Sequence, residues 1–96
     1  MRFQYHPDAA RELIRSVEYY EGKSPGLGAE FLDEMESVIA RIMRYPDSGT
    51  LITAESKRII LRRFPFGIVY EVREDLLTIT AVMHLRRNPD YWKSRR

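Results

Sequence analysis

Apolar residues recur every three to four positions over the first half of the chain and every second position over much of the second half. "RFQY" at Arg2–Tyr5 alternates and carries two aromatics, so it predicts a short strand. Ala10, Leu13, Ile14, Val17 and Tyr20 then fall on one face of a helix, with Arg11, Glu12, Arg15 and Glu18 opposite. Pro7 and Asp8 suit its first turn and Gly22 its end, which predicts a helix over about 8–21. His6 reads as a neighbour of that helix start. Ser24 and Pro25 read as the cap and first residue of a second helix, whose stripe is Leu27, Phe31, Met35, Val38, Ile39 and Ile42. It should end at about Tyr45, because the residue before Pro46 is pushed out of helical geometry. A short turn between two such helices makes a helical hairpin.

Pro46–Ser56 is rich in turn formers and reads as a loop. Beyond it the period is two. Ile59, Leu61, Ile68, Tyr70, Val72, Ile79, Ala81 and Met83 make the more apolar set, and are expected to receive the helices. Simple alternation places Arg58, Arg62, Glu71, Arg73, Thr78, Thr80 and His84 on the other face. Pro65–Gly67 and Glu74–Asp75 are the turns, and "RRNPDYWKSRR" is a basic appendage with about one helical turn. The expected fold is α+β, in the order β-α-α-β-β-β. The helical hairpin packs on one face of an antiparallel sheet, in one domain over residues 1–96.

Composition narrows the setting. The chain has 96 residues, 44% of them hydrophobic and 31% charged, as in ordinary soluble domains. It has no cysteine, which excludes disulfides and thiolate metal sites. Its first residues lack the apolar core of a signal peptide, and no apolar run approaches the ~20 residues of a membrane span, so a cytoplasmic protein is expected. With two well-separated histidines, neither a metal cluster nor a cofactor site is expected. The net charge of +2 conceals a division: residues 1–56 carry −4 and residues 57–96 carry +6. A basic back half points to an anionic partner, either nucleic acid or an acidic protein surface.

The candidate chemistry lies in that half. Arg58 and Arg62 share a strand face, Arg63 sits at the strand's end, and Arg86, Arg87, Tyr91, Trp92, Lys93, Arg95 and Arg96 follow the last strand. If the tail folds back along the sheet, guanidinium groups and aromatic rings form one surface suited to phosphate contact and base stacking. The plainer reading is that an open sheet face must be polar in any case. His84 can serve as a general acid or base near neutral pH, or as a hydrogen-bonded strand end.

"RRFPFGIVYEV", "LTITAVMHLRRNPDYWKSR" and the helix end "YPDSG" together resemble the RelE/ParE superfamily of toxins from bacterial toxin–antitoxin modules, nearest the plasmid stabilization branch. The resemblance spans nearly the whole chain. It implies a small cytoplasmic toxin held inactive by an antitoxin that adds helices and a strand, in a dimer or a heterotetramer. RelE-like members cut messenger RNA on the ribosome, while ParE-like members act on DNA gyrase. Of the residues the ribonuclease branch uses, Arg58 matches a first lysine and Tyr91 the tail tyrosine. A second lysine falls on Ile60, an arginine on Gly67, and another on Leu85, with Arg86 one residue away. A further ribonuclease subgroup uses a histidine near the C-terminus, which keeps His84 in play; for its glutamate partner only Glu55 is near.

The favoured expectation is therefore a ParE-like toxin that binds and inhibits a target such as gyrase. Arg58, Arg62, Arg63, Arg87, Trp92 and Arg95 would meet the target or the antitoxin. The alternative is a ribosome-dependent messenger RNA endonuclease using His84, Arg86 and Tyr91. A non-toxic basic protein-binding module is the third reading.

Overall fold

The computed structural model describes residues 1–95. The elements are β1 (Arg2–Tyr5), α1 (Pro7–Lys23), α2 (Leu27–Arg44), β2 (Thr50–Leu51), β3 (Lys57–Ile60), β4 (Phe66–Arg73) and β5 (Leu76–His84). Two helices lie on one face of a five-stranded sheet of order β1-β5-β4-β3-β2. The α+β class and element order therefore stand. The sheet is mixed rather than wholly antiparallel: the helical hairpin carries the chain from β1 across to β2 at the far edge, and β5, the last strand of the meander that returns, runs parallel to β1. Two residues of the expected loop, Thr50 and Leu51, form an edge strand against β3. Among the described residues no helix is long and apolar enough to cross a membrane.

The helical hairpin turns on one side chain that capping rules do not anticipate. His6 opens α1, its Nδ1 accepting the N–H of Asp8 at 3.0 Å. The helix passes through Gly22 to Lys23, and Ser24 closes it rather than opening the next. Gly26 takes the turn with φ +89°, a conformation open chiefly to glycine. The Glu21 carboxylate then accepts the N–H groups of Gly26 and Gly28, both at 3.0 Å at the closest oxygen. An acidic group from the first helix thus satisfies orphan donors at the start of the second. At Gly28 the two backbones nearly touch: a Cβ there would stand 2.7 Å from the Val17 carbonyl oxygen.

The main core lies between helices and sheet. Phe31, Met35 and Ile42 from α2 meet Ile59, Phe66, Ile68, Tyr70, Leu77, Ile79 and Val82. Tyr20, Phe31, Phe64 and Phe66 form an aromatic knot, with ring centroids 4.7 Å apart between Tyr20 and Phe64 and 4.9 Å between Phe31 and Phe64.

A bulge corrects the expected sheet faces. Tyr70 pairs with Ile79 and Val69 with Ala81, so Thr80 has no partner across the ladder. The extra residue exchanges the faces of β5 beyond it. Ala81 and Met83, expected under the helices, lie on the opposite face with Val69; Val82 takes their place in the main core. His84 moves with Val82. It lies opposite Phe66 on the helix side, with ring centroids 5.1 Å apart, rather than on the open face with Arg58.

Candidate functional site

The tail after Arg86 folds back, carrying Trp92 onto the open face. Trp92 is 4% exposed and packs on Val69, Ala81 and Met83, with Ile52 and Tyr91 at the margin. The bulge makes this possible, since it is what turns Ala81 and Met83 outward to meet the indole.

One carboxylate secures this tail. Glu12, expected on the solvated side of α1, is 8% exposed. Its neighbours on the sheet-facing side are the small residues Ala9 and Ser16, which let the helix approach β5. Glu12 accepts the Val82 N–H at 3.0 Å, and the Tyr91 hydroxyl donates to it at 2.6 Å. Arg95 grips it with two nitrogens at 2.9 and 2.8 Å, and Arg87 approaches to 3.3 Å. Arg95, whose side chain is 11% exposed, also donates to the Thr80 carbonyl at 3.0 Å. That carbonyl belongs to the bulge. The guanidinium groups of Arg87 and Arg95 lie 3.7 and 4.9 Å from the centre of the Tyr91 ring.

These contacts set the ionisation of the hub. Burial by itself would raise the Glu12 pKa. Hydrogen bonds from Arg95, Tyr91 and the Val82 N–H, with the Arg95 charge, overcome it and hold the carboxyl below its usual range. Burial, then the bond to Glu12, pushes the Tyr91 phenol far above its usual range. For a carboxyl whose folded pKa is depressed, the stabilisation is present above the unfolded pKa and lost as pH falls through the folded one. Acid below about 4.5 should therefore loosen the tail. Trp92 is the only tryptophan, so its emission reports directly on that event. A red shift on acidification is expected, displaced or abolished in Glu12→Gln. An emission that is indifferent to pH until global unfolding would refute the coupling.

The expected continuous basic surface does not form. Arg63 pairs with Glu30 at 2.5 Å, Arg73 with Glu55 at 3.2 Å, Lys57 with Asp47 at 3.4 Å and Lys93 with Asp90 at 2.9 Å. Arg87 and Arg95 share Glu12. The arginines before the hairpin face the acidic side of α2: the backbone N–H groups of Arg62 and Arg63 both donate to Glu34. Of the candidate cations, Arg58, Arg62 and Arg86 carry no ion pair among the described residues. Arg96 lies outside them. Those three are dispersed. Arg58 lies across Gly67 on the open face, where a Cβ on that glycine would stand 2.9 Å from its Cδ. Arg62 stands beside α2, and Arg86 follows His84 at the helix-side end of β5.

The structure thus brings together Arg87, Tyr91 and Arg95, with Trp92 beside them, and separately His84 and Arg86. It does not join the two groups. At the end of the open face, where the resemblance would place ribonuclease residues, Ile60 and Leu85 are exposed and Gly67 lies between β3 and the covered Met83.

The family described as the ParE toxin of the type II toxin-antitoxin system, parDE, matches residues 3–89. The chain belongs to the ParE toxin family. Its matched span includes both helices, all of the sheet but Arg2, and Glu12, but stops short of Tyr91, Trp92 and Arg95. The contacts that hold the tail thus come largely from residues beyond the ParE match. Among solved structures, a chain from the chromosomal ParDE TA system of P. aeruginosa has a TM-score of 0.76 at 14% identity, over 90% of this chain and 97% of that one. At that identity the likeness establishes a shared fold. No curated protein matches the chain.

Proposed function

We propose that this member of the ParE family is a toxin that acts by binding its target, with DNA gyrase as that target, and that a cognate antitoxin neutralises it. Family membership supports the first part. The P. aeruginosa neighbour comes from a ParDE toxin–antitoxin system, which supports a protein antitoxin as partner. The observation that carries the non-nuclease reading is the state of Tyr91. Its hydroxyl is committed to Glu12 at 2.6 Å, and its pKa is raised, so it neither gives nor takes a proton readily near neutral pH. Of the other positions that would stabilise charge on a cleaved phosphodiester, Arg58 is basic, but Ile60, Gly67 and Leu85 carry no charge.

In this reading Trp92, Arg87 and Arg95 act from within, fixing the shape of the tail, and the half-buried Arg58 and the exposed Arg62 offer guanidinium groups to carboxylates of a partner. The tests are induction in growing cells and a supercoiling assay with purified gyrase. Filamentation, an SOS response, intact transcripts and loss of supercoiling are expected. Tyr91→Phe keeps the ring and removes the phenolic proton, so toxicity should survive it. Codon-linked transcript cuts that disappear in Tyr91→Phe would replace this reading with a ribosome-dependent endonuclease. Absence of any growth defect would leave a binding module.

A further inference from the structure

A groove on the helix side differs in charge from the other concavities described. It lies where the end of α1 meets the start of β4 and the end of β5, and its volume is about 590 Å3. Tyr19, Tyr20, Lys23, Phe66, His84 and Arg86 bound it. The four other grooves described each have carboxylates in their walls: Glu55 and Glu71 in two, Glu30 and Glu34 in a third, Glu34 in the last. This groove has none. Lys23 and Arg86 form no ion pair among the described residues, so their charges are not cancelled by a neighbouring side chain.

The other side chains add shape and direction. Tyr19 keeps 58% exposure and stands edge to face with Tyr20, centroids 5.2 Å apart. The Lys23 ammonium lies over the Tyr19 ring, 5.1 Å from its centre, which places positive charge against one face of an exposed ring. His84 is held at both ends. Its ring meets Phe66 at 73°, and its Nδ1 accepts the Arg86 N–H at 3.1 Å. A histidine that accepts at Nδ1 keeps its donor at Nε2, free for a ligand.

We propose that this groove binds the phosphate-and-base unit of a nucleotide. Lys23, Arg86 and the His84 Nε2–H suit phosphate oxygens, and the Tyr19 face suits a stacked base. An acidic peptide would use the cations but leave the exposed ring without a planar partner, which is why a nucleotide is the better fit. A free mononucleotide and an unpaired nucleotide of a single strand present the same chemistry. The proposal is independent of which target the toxin poisons.

The test is titration of the full chain with adenosine monophosphate, with a short single-stranded oligothymidylate and with a glutamate-rich peptide, following the ring resonances of Tyr19 and His84. Saturable shifts with a nucleotide probe are expected. Tyr19→Ala and Arg86→Ala, both at exposed positions, should each weaken binding by about fivefold or more. Arg41→Ala, in a different groove, should change nothing. Equal affinity for the mononucleotide and the oligomer assigns the site to free nucleotides; a tighter oligomer assigns it to single strands. No saturation by either probe overturns the proposal, as does binding indifferent to Tyr19→Ala and Arg86→Ala. Saturation by the peptide alone overturns it in favour of a protein partner.

Discussion

Glu12→Ala should destabilise the protein by about 3–5 kcal/mol, the usual cost of removing one member of a buried ion pair. The size follows from what is left behind. Arg95 would remain largely buried with only Asp8, 3.7 Å away, as a nearby carboxylate. The Val82 N–H would lose its acceptor, and the Tyr91 hydroxyl would lose its partner. Glu12→Gln separates charge from shape, because its amide oxygen can still serve Val82 while the bidentate grip on Arg95 is lost. It should fall between wild type and Glu12→Ala. Urea unfolding gives the energies, and Trp92 emission shows whether the tail leaves first. A loss below about 0.5 kcal/mol, the level of an ordinary surface substitution, would mean that Glu12 does not hold the tail.

Glu12 also shows where the sequence stops being legible. The helix containing it is plain from its stripe, but a stripe ranks residues by hydrophobicity and places a glutamate outside. The available signal was size: Ala9 and Ser16 flank Glu12 at helical spacing and let the helix come close to the sheet. A charge on a small-residue face has its partner elsewhere in the chain, and the surplus of arginines in the tail was that partner. Local pattern cannot join residues 83 positions apart.

The sheet was readable for a similar reason and failed for another. Period-two runs located β4 and β5 closely, since alternation reflects a pleat with one greasy side, but alternation ran on past Ile60, where β3 ends, so Arg62 shares no strand face with Arg58. Nothing in "TITAVMH" marks Thr80 as an added residue, because Thr, Ala and Val all sit comfortably on either face. One unpaired residue then exchanged Ala81, Met83 and His84 with Val82. The fold survives such an error, since the second face is also apolar and the tail covers it. The site does not survive it, since His84 changes neighbours from Arg58 to Phe66, Tyr19 and Lys23. The charge division between the halves was real, but it is spent largely within the molecule. Glu30, Glu55 and Glu12 meet Arg63, Arg73 and the tail, so a count of charges overstated what is left for a partner.

Trp92→Ala should cost about 3–5 kcal/mol, as for other buried aromatic truncations. It uncovers Val69, Ala81 and Met83 together. Trp92→Phe should cost far less, since the indole Nε1 is buried without a protein acceptor and its removal forfeits no hydrogen bond. The decisive measurement is the double substitution with Glu12→Ala. If Glu12, through Arg87, Tyr91 and Arg95, holds the same segment that Trp92 anchors, a tail freed by one loss cannot be freed again by the other. The double variant should then cost less than the sum of the singles by roughly 1–3 kcal/mol, the range found for coupled residues. Strict additivity would mean that the indole packs and the carboxylate pairs independently, and the tail would be two separate contacts rather than one strap. Coupling also has a functional consequence. A cooperative strap leaves the sheet as a unit, so any partner that competes for Val69, Ala81 and Met83 must at the same moment release Arg87 and Arg95 from Glu12. It would expose two guanidinium groups as it binds, and a partner carrying carboxylates next to an apolar strand would gain from both.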